Sequence, residues 1–249
     1  MIHLFEVLGQ LFLLTCEFAG LLFTRKPEFR EWLIQFYYIG VQSLSITNIT
    51  SLFTGMVLAL QAAFALSSFG ADLFIGDLVS LSIVRELGPV LTALLVGGRV
   101  GAGITAELGS MKITQQLDAM RAMATSPIYK LIVPRLMACI ICLPILTIIA
   151  NFLGILGGLL LASLELNING YFYLSRVIHA LDFNDIASGI TKSVFFGYFI
   201  GIIACNNGMR VIGGADGVGR ATTQTVVSAS IVILISDFFL TKLFHILTT

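Results

Sequence analysis

The sequence predicts an all-α integral membrane protein with five transmembrane helices, preceded by a helix that lies in the membrane interface. Hydrophobic residues make up 57% of the 249 residues and charged residues only 11%. This much apolar surface cannot be buried inside a water-soluble domain of that size. Five apolar runs are long enough to cross a bilayer, and a polar stretch between the second and third is too hydrophilic to enter lipid. We therefore predict one domain over residues 1–249, with a short helix at the membrane face between those two spans.

Residues 1–30 predict an interfacial helix followed by a basic break. The polar residues of segment 3–23 share one stripe, and apolar residues cover the rest of the surface. Basic residues around Pro27 then suit anionic lipid headgroups, and Trp32, Tyr37 and Tyr38 are typical of an aromatic belt. A true span over residues 1–23 is the alternative.

The predicted spans cover residues 46–66, 87–106, 131–161, 186–205 and 222–244. Basic residues near their ends are more numerous on one side, which by the positive-inside rule places the N-terminus in the cytoplasm and the C-terminus in the periplasm. Glycines recur at four-residue spacing and predict close helix packing, within the chain or with a second copy. These pairs are Gly97 and Gly101, Gly154 and Gly158, and Gly197 and Gly201.

No motif predicts chemistry carried out by this chain. The glycine run GGADGVGRATT lacks the lysine of a nucleotide-binding P-loop, because Arg220 follows Gly219. ATP, if used, is therefore hydrolysed by another chain, and the glycines predict a turn with Thr222 or Thr223 near the start of the fifth helix. Cys139 and Cys142 lie in a run at lipid depth and predict packing residues. No metal site, nucleic-acid partner or catalytic constellation is expected.

Three charged residues lie well inside predicted spans, away from their ends: Arg99, Lys192 and Asp237. An ionised side chain at membrane depth costs about 2.5–3.5 kcal/mol and requires a partner. Lys192 and Asp237 lie at similar depths in neighbouring antiparallel spans, so we predict an ion pair between them. Arg99 either faces a polar interior or extends toward the cytoplasmic surface.

The polar stretch 107–130 predicts an amphipathic helix over Ile113–Ala124. Its apolar stripe is Ile113, Leu117, Met120 and Ala124, and Gln115, Gln116, Asp118 and Arg121 point away from it. Such a helix can be gripped by another protein, or it can simply join two spans. In the first span, apolar side chains predict a wall suited to acyl chains, formed by Met56, Leu58, Leu60 and Phe64. Gln61 is the one polar position along it.

Two segments resemble the MlaE/YrbE family of ABC-transporter permeases. They are ELGPVLTALLVGGRVGAGITAELGSMKITQQLDAM from Glu86 and GVGRATTQTVV from Gly217, the latter followed by DFFLTKLF. The resemblance implies a homodimeric permease of the bacterial inner membrane that moves phospholipid between the inner and outer membranes and maintains outer-membrane lipid asymmetry. It also implies a cytoplasmic ATPase that uses ATP and Mg, a periplasmic MCE-domain lipid-binding protein and often a STAS-domain subunit.

In that family, the segment after Glu107 is the coupling helix that docks on the ATPase. The resemblance therefore assigns ATPase coupling to Glu107, Gln115, Asp118 and Arg121. Two other functions stay open on the sequence. One is an ABC importer permease for a soluble solute, and the other is an ion-coupled carrier that relays charge through Arg99, Lys192 and Asp237.

Overall fold

The computed structural model describes residues 12–20, 29–67, 71–166 and 168–248, together with Gly9. The described residues form helices without a strand, and five of the helical stretches are long and apolar enough to cross a membrane. The predicted all-α class with five spans is therefore confirmed. The candidate spans are Arg30–Leu66, Ile75–Ile113, Ile128–Leu164, Phe183–Met209 and Gly214–Ile246.

Before residue 29, the structure describes Gly9 and helix α1 (12–20). Phe18 of α1 is buried against Leu136, Ile202 and Ala229, and the Thr15 hydroxyl lies 2.5 Å from the hydroxyl of Tyr198. The remainder of the predicted interfacial helix, and Arg25 and Lys26 of the basic break, lie outside the described residues. The interfacial placement stays a prediction.

The first span begins earlier than the predicted 46–66. Helix α2 (Phe29–Ile39) leads through a 3-10 turn (Val41–Ser43) into helix α3 (Leu44–Ser67). Within this turn, the Ser43 hydroxyl donates to the Ile39 carbonyl at 2.7 Å, and Thr47 donates to the Ser43 carbonyl at 3.0 Å. These hydrogen bonds pair the two hydroxyl groups and join α2 to α3 across the turn.

The second span also begins earlier than the predicted 87–106, and two π-helical segments interrupt it. It runs through α4 (Ile75–Ser82), a π-helix (Ile83–Leu87), α5 (Gly88–Val96), a second π-helix (Gly97–Gly101) and α6 (Ala102–Ile113). A π-helical turn holds one residue more than an α-helical turn, so it changes the face that later residues present. Arg85, Glu86 and Arg99 all lie in these π-helical segments.

The helix predicted over Ile113–Ala124 is broken. Helix α6 ends at Ile113, Gln115 adopts a left-handed conformation (φ 59°), and helix α7 covers only Gln116–Ala122. Ala124 also has a positive φ of 56°. A third π-helix (Ile128–Ile132) then leads into α8 (Val133–Leu164).

The segment between the third and fourth spans forms helix α9 (Gly170–Ala180), capped by the side chain of Asn169, which accepts from the Tyr171 amide at 2.9 Å. Helix α9 packs on α4, where Arg176 pairs with Asp77 and its guanidinium carbon lies 4.6 Å from the centre of the Phe74 ring. The buried Tyr173 hydroxyl has no hydrogen-bond partner among the described residues, and burial raises its pKa.

Helix α10 (Phe183–Met209) and helix α11 (Gly214–Thr248) complete the fold. The turn between them rests on Gly213 and Gly214, with φ of 98° and 72°. Helix α11 therefore begins well before the predicted Thr222, because only the first glycines of the run form the turn. The hydroxyls of Thr222 and Thr223 donate to the Gly219 carbonyl inside the helix rather than capping its start.

Glycine allows two close helix contacts. A Cβ atom on Gly55 of α3 would lie 1.8 Å from the carbonyl oxygen of Gly154 on α8, and one on Gly197 of α10 would lie 2.5 Å from the carbonyl oxygen of Cys139 on α8. Helix α8 is thus the central helix on which α3 and α10 both pack. Gly97 and Gly101 meet only side chains at ordinary contact distance.

Candidate functional site

A buried ion cluster joins the second, fourth and fifth spans around Lys192. The Lys192 ammonium donates to Glu86 Oε2 at 2.7 Å, to the Thr241 hydroxyl at 2.7 Å and to the carbonyl oxygen of Arg85 at 3.0 Å. Asp237 Oδ1 lies 3.1 Å from the same nitrogen. The structure thus brings together Lys192 and Asp237, which the sequence pattern paired, and adds Glu86 as the second acid.

The lysine lies deeper in the protein than its two carboxylates. The Lys192 side chain is only 2% exposed, whereas those of Glu86 and Asp237 are 40% and 20% exposed. The Thr241 hydroxyl also lies 3.1 Å from Glu86 Oε1, and Thr241 is one helical turn beyond Asp237. When all three ionisable groups are charged, the cluster holds one positive and two negative charges, with the acids toward the surface.

A second ion pair extends this cluster toward the start of α10. Arg85 donates from Nε to Asp185 Oδ1 at 2.7 Å, and the other oxygen of Asp185 accepts from the Asp182 amide at 3.1 Å. Asp185 therefore caps α10 and holds the π-helical segment that carries both Arg85 and Glu86. The sequence did not identify three members of this cluster, namely Arg85, Glu86 and Asp185. All three were assigned to segments outside the predicted spans.

Arg99, the third charge predicted inside a span, lies apart from this cluster. It donates to the Ser43 hydroxyl and to Gln42 Oε1, both at 2.8 Å. Both partners belong to the turn between α2 and α3, and both are neutral. Arg99 also lines a cavity of about 550 Å³ between α2, α6 and the start of α8.

Helix α7 presents a charged surface held by a single buried residue. Leu117 is 1% exposed, while Gln115, Asp118 and Arg121 are exposed. Asp118 accepts from Lys112 at 3.1 Å and pairs with Arg121 at 3.5 Å. The predicted inward stripe is wrong at both of its ends, because Ile113 is 38% exposed and Ala124 is exposed too. The chain turns at Gln115, so α7 starts on a new face, and it turns again at Ala124 after α7 has ended.

Glu107 lies within α6, and the structure pairs it with α8. Its Oε1 lies 2.8 Å from the guanidinium of Arg135, whose side chain is only 2% exposed. Arg135 also donates to the Leu131 carbonyl at 3.0 Å. This ion pair links the second and third spans, which flank α7. Arg135 was counted from the sequence only as a basic residue near a span end.

The predicted lipid-facing residues of α3 do not form one wall within this chain. Half-buried Met56, Leu58 and Leu60 pack toward α4, α8 and α9, whereas Gln61 and Phe64 are exposed. The main neighbours of α3 are α8 and α4, and those of α11 are α10 and α6. The lipid path along the first span stays a prediction.

The buried cysteines lie at helix contacts. Cys139, Cys142 and Cys205 belong to the largest apolar core, which α8 and α10 share with α5 and α6. Among the described residues, no group of three His, Cys, Asp or Glu side chains could hold a metal ion.

Comparison with known proteins finds a family and relatives that match most of the chain. A family model described as Permease MlaE matches residues 32–243. The intermembrane phospholipid transport system permease protein MlaE of Haemophilus influenzae is 41% identical over 223 residues, covering 88% of this chain and 85% of that protein. A probable ABC transporter permease protein of Rickettsia felis is 44% identical over 221 residues, covering 88% and 85%. One from Synechocystis is 44% identical over 214 residues, covering 86% and 81%.

Proposed function

Because the chain belongs to the MlaE permease family of ABC transporters, we propose that it moves phospholipid between the inner and outer membranes of a bacterial cell. Five apolar helices and this family make it a multi-pass protein of the inner membrane. The phospholipid cargo rests on the named function of the Haemophilus relative and on the apolar character of α3. Moving phospholipid in this way maintains the lipid asymmetry of the outer membrane.

The observation that carries the proposal is the position of α7 between two spans, with its charged side chains exposed. This short helix stands between two spans, is anchored through Leu117 and presents Asp118 and Arg121 outward. The Glu107–Arg135 pair links the spans on either side of it. A cytoplasmic ATPase that moves α7 would therefore move the second and third spans together. ATP and Mg belong to that partner chain.

The complete transporter contains further chains. We expect two copies of the permease, the ATPase, a periplasmic MCE-domain protein and a STAS-domain subunit. We infer from the basic residues near the span ends that the N-terminus lies in the cytoplasm, and an odd number of spans then puts the C-terminus in the periplasm. This orientation places α7 on the side where ATP is available, and it places α9 on the periplasmic side.

Reconstitution tests the proposal. The permease is purified with its ATPase and MCE protein, placed in proteoliposomes, and the transfer of fluorescent phospholipid is followed with and without ATP. Transfer should require ATP and stop when the ATPase carries an inactivating substitution. Lipid-independent uptake of a soluble solute would favour an importer permease, and transport without the ATPase would favour an ion-coupled carrier.

A further inference from the structure

The cavity between α2, α6 and the start of α8, here called the α2–α6 cavity, is elongated along the second span. Arg99, Gly103 and Glu107 line it at four-residue spacing, and Met111 continues the row. From Arg99 to Met111, a helix rises about 18 Å at 1.5 Å per residue. With a volume of about 550 Å³, the cavity has room for a headgroup and the upper part of an acyl chain.

The charges that line the α2–α6 cavity are out of balance. Three cations, Arg99, Lys130 and Arg135, face two acids, Glu31 and Glu107. Arg135 already uses Glu107, and among the described residues no carboxylate lies within ion-pairing distance of Arg99. Arg99 lies inside a span, where an ion without a counter-ion is unfavourable. The imbalance points to an anion.

Arg135 supplies a second, independent observation. Its side chain is almost completely buried and lines the cavity, yet its Nε has no hydrogen-bond partner within the described ranges. Buried polar groups in proteins nearly always have a partner, and a guanidinium binds phosphate oxygens especially well. Because Nε itself is buried, a small rotation of the guanidinium is needed for this donor to reach a phosphate group in the cavity.

Most of the remaining wall is apolar, and its polar members are Gln35, Tyr38 and Gln42. Ile34 and Ile39 of α2 face Val100 and Ile104 of the second span across the cavity. A soluble anion gains nothing from such a wall, whereas the glycerol and first acyl carbons of a lipid are stabilised by it. The ligand should thus be both anionic and amphiphilic.

We propose that the α2–α6 cavity binds the phosphate headgroup of an anionic phospholipid, with its phosphate held by the cavity's arginines and its apolar part against Ile39 and Ile104. This inference goes beyond the proposed function, because it concerns binding of a membrane lipid by the permease itself and needs neither ATP nor transport. A failed transport assay would leave it standing.

The single tryptophan of the chain provides the measurement. Trp32 is next to the cavity residue Glu31 on α2, so a brominated lipid in the cavity should quench its fluorescence. The full chain in detergent micelles is titrated with brominated phosphatidylglycerol or brominated phosphatidylcholine. Both lipids carry the phosphate, but the quaternary ammonium of phosphatidylcholine adds a positive charge to a cavity whose lining already has one cation in excess. Phosphatidylglycerol should therefore bind at least about tenfold more tightly. Glycerol phosphate and inorganic phosphate at equal concentration should not displace it.

Two variants locate the site. Arg99→Gln should weaken phosphatidylglycerol binding about tenfold to a hundredfold. Gly103→Leu should block it with all charges in place, because a Cβ atom at Gly103 meets nothing within 4 Å and the larger side chain extends into the cavity. Gly98→Leu is the matched control, since Gly98 has the same open space but does not line the cavity. Lys242→Gln controls for the loss of one positive charge elsewhere.

Equal quenching by the two lipids would overturn the proposal, as would unchanged binding in Gly103→Leu. Displacement by inorganic phosphate would show an anion site without a lipid. If Gly103→Leu converts an oligomer to monomers while the lipid preference persists, the cavity faces a second copy of the chain and the proposal is wrong.

Discussion

Lys192 and Arg99 are both cations inside transmembrane helices, yet their surroundings differ. Lys192 is buried and meets two carboxylates and two further oxygens, all supplied by the second and fifth spans. Arg99 is exposed to a cavity, and within the described part of the chain its hydrogen-bond partners are the neutral side chains of Ser43 and Gln42. The first arrangement stabilises helix packing, whereas the second leaves a positive charge available to a ligand. The same charge at membrane depth can thus serve the fold or a binding site, depending on what faces it.

The largest expected effect comes from removing Lys192. Lys192→Met leaves Glu86 and Asp237 facing each other without their cation, which should lower the free energy of unfolding by about 3–5 kcal/mol. Denaturant unfolding in a mild detergent measures this loss, and lipid transfer should fall with it. Lys242→Met at the exposed end of α11 is the control. A loss below about 1 kcal/mol would remove the contrast with Arg99.

The second prediction tests whether Glu86 acts in the ion cluster together with Asp237. Exchanging the charges through Lys192→Asp with Asp237→Lys would place a carboxylate beside Glu86, which lies 2.7 Å from the present ammonium. We expect the exchange alone to recover little of the transfer activity lost in Lys192→Asp. Adding Glu86→Gln should recover more, because it removes the repulsion. Full recovery with Glu86 intact would mean that Glu86 does not act in the cluster.

A smaller effect on stability is expected at Arg99. Arg99→Gln loses two hydrogen bonds to neutral groups but leaves no acid without its partner, so the free energy of unfolding should fall by about 1–2 kcal/mol or less. The same unfolding measurement applies. A loss as large as that of Lys192→Met would show that Arg99 has a buried counter-charge and would break the comparison.

The smallest effect on stability is expected on α7. Asp118→Lys disrupts exposed ion pairs worth about 0–1 kcal/mol, so folding and assembly should be intact. ATPase activity stimulated by the permease should nevertheless fall, because the charge faces the partner. Arg121→Glu should act in the same direction. If neither variant alters the stimulated activity of an assembled complex, α7 is not the docking element.

The sequence predicted the helical class and the number of spans, because long apolar runs and their polar breaks are local signals. It placed the start of the second span too late. Asp77, Arg85 and Glu86 read as residues of a loop, since isolated charges do not suit a span. In the structure, Asp77 pairs with Arg176, Arg85 with Asp185 and Glu86 with Lys192. Each partner lies about a hundred residues later in the chain. Such long-range partners leave no local pattern.

The charged site could be predicted in part. Lys192 and Asp237 stand out because each lies inside an apolar run, and equal depth in neighbouring spans pairs them. Arg135 could not be identified, because it lies near a span end, five residues after Lys130, and resembles other basic residues that mark the cytoplasmic side. The break at Gln115 was also missed, since the spacing of Ile113, Leu117 and Met120 fits one helix equally well.

The three π-helical turns affect how the chain tolerates insertion and deletion. An α-helix that gains one residue often absorbs it as such a turn, and losing one residue there restores regular α-helix. A deletion of Gly98 should therefore preserve the helical content of the second span, as measured by circular dichroism. Because the turn loses the one residue that a regular α-helical turn does not hold, the residues from Ala102 to Ile113 should keep their present faces. Glu107 should then still meet Arg135, and the row from Gly103 to Met111 should still line the α2–α6 cavity. A deletion within α6 itself, where no π-helical turn absorbs it, would instead rotate the residues that follow by about 100°, the rotation of one residue at 3.6 per turn. The π-helical turn is thus a position at which related permeases could gain or lose one residue and keep the lining of the cavity.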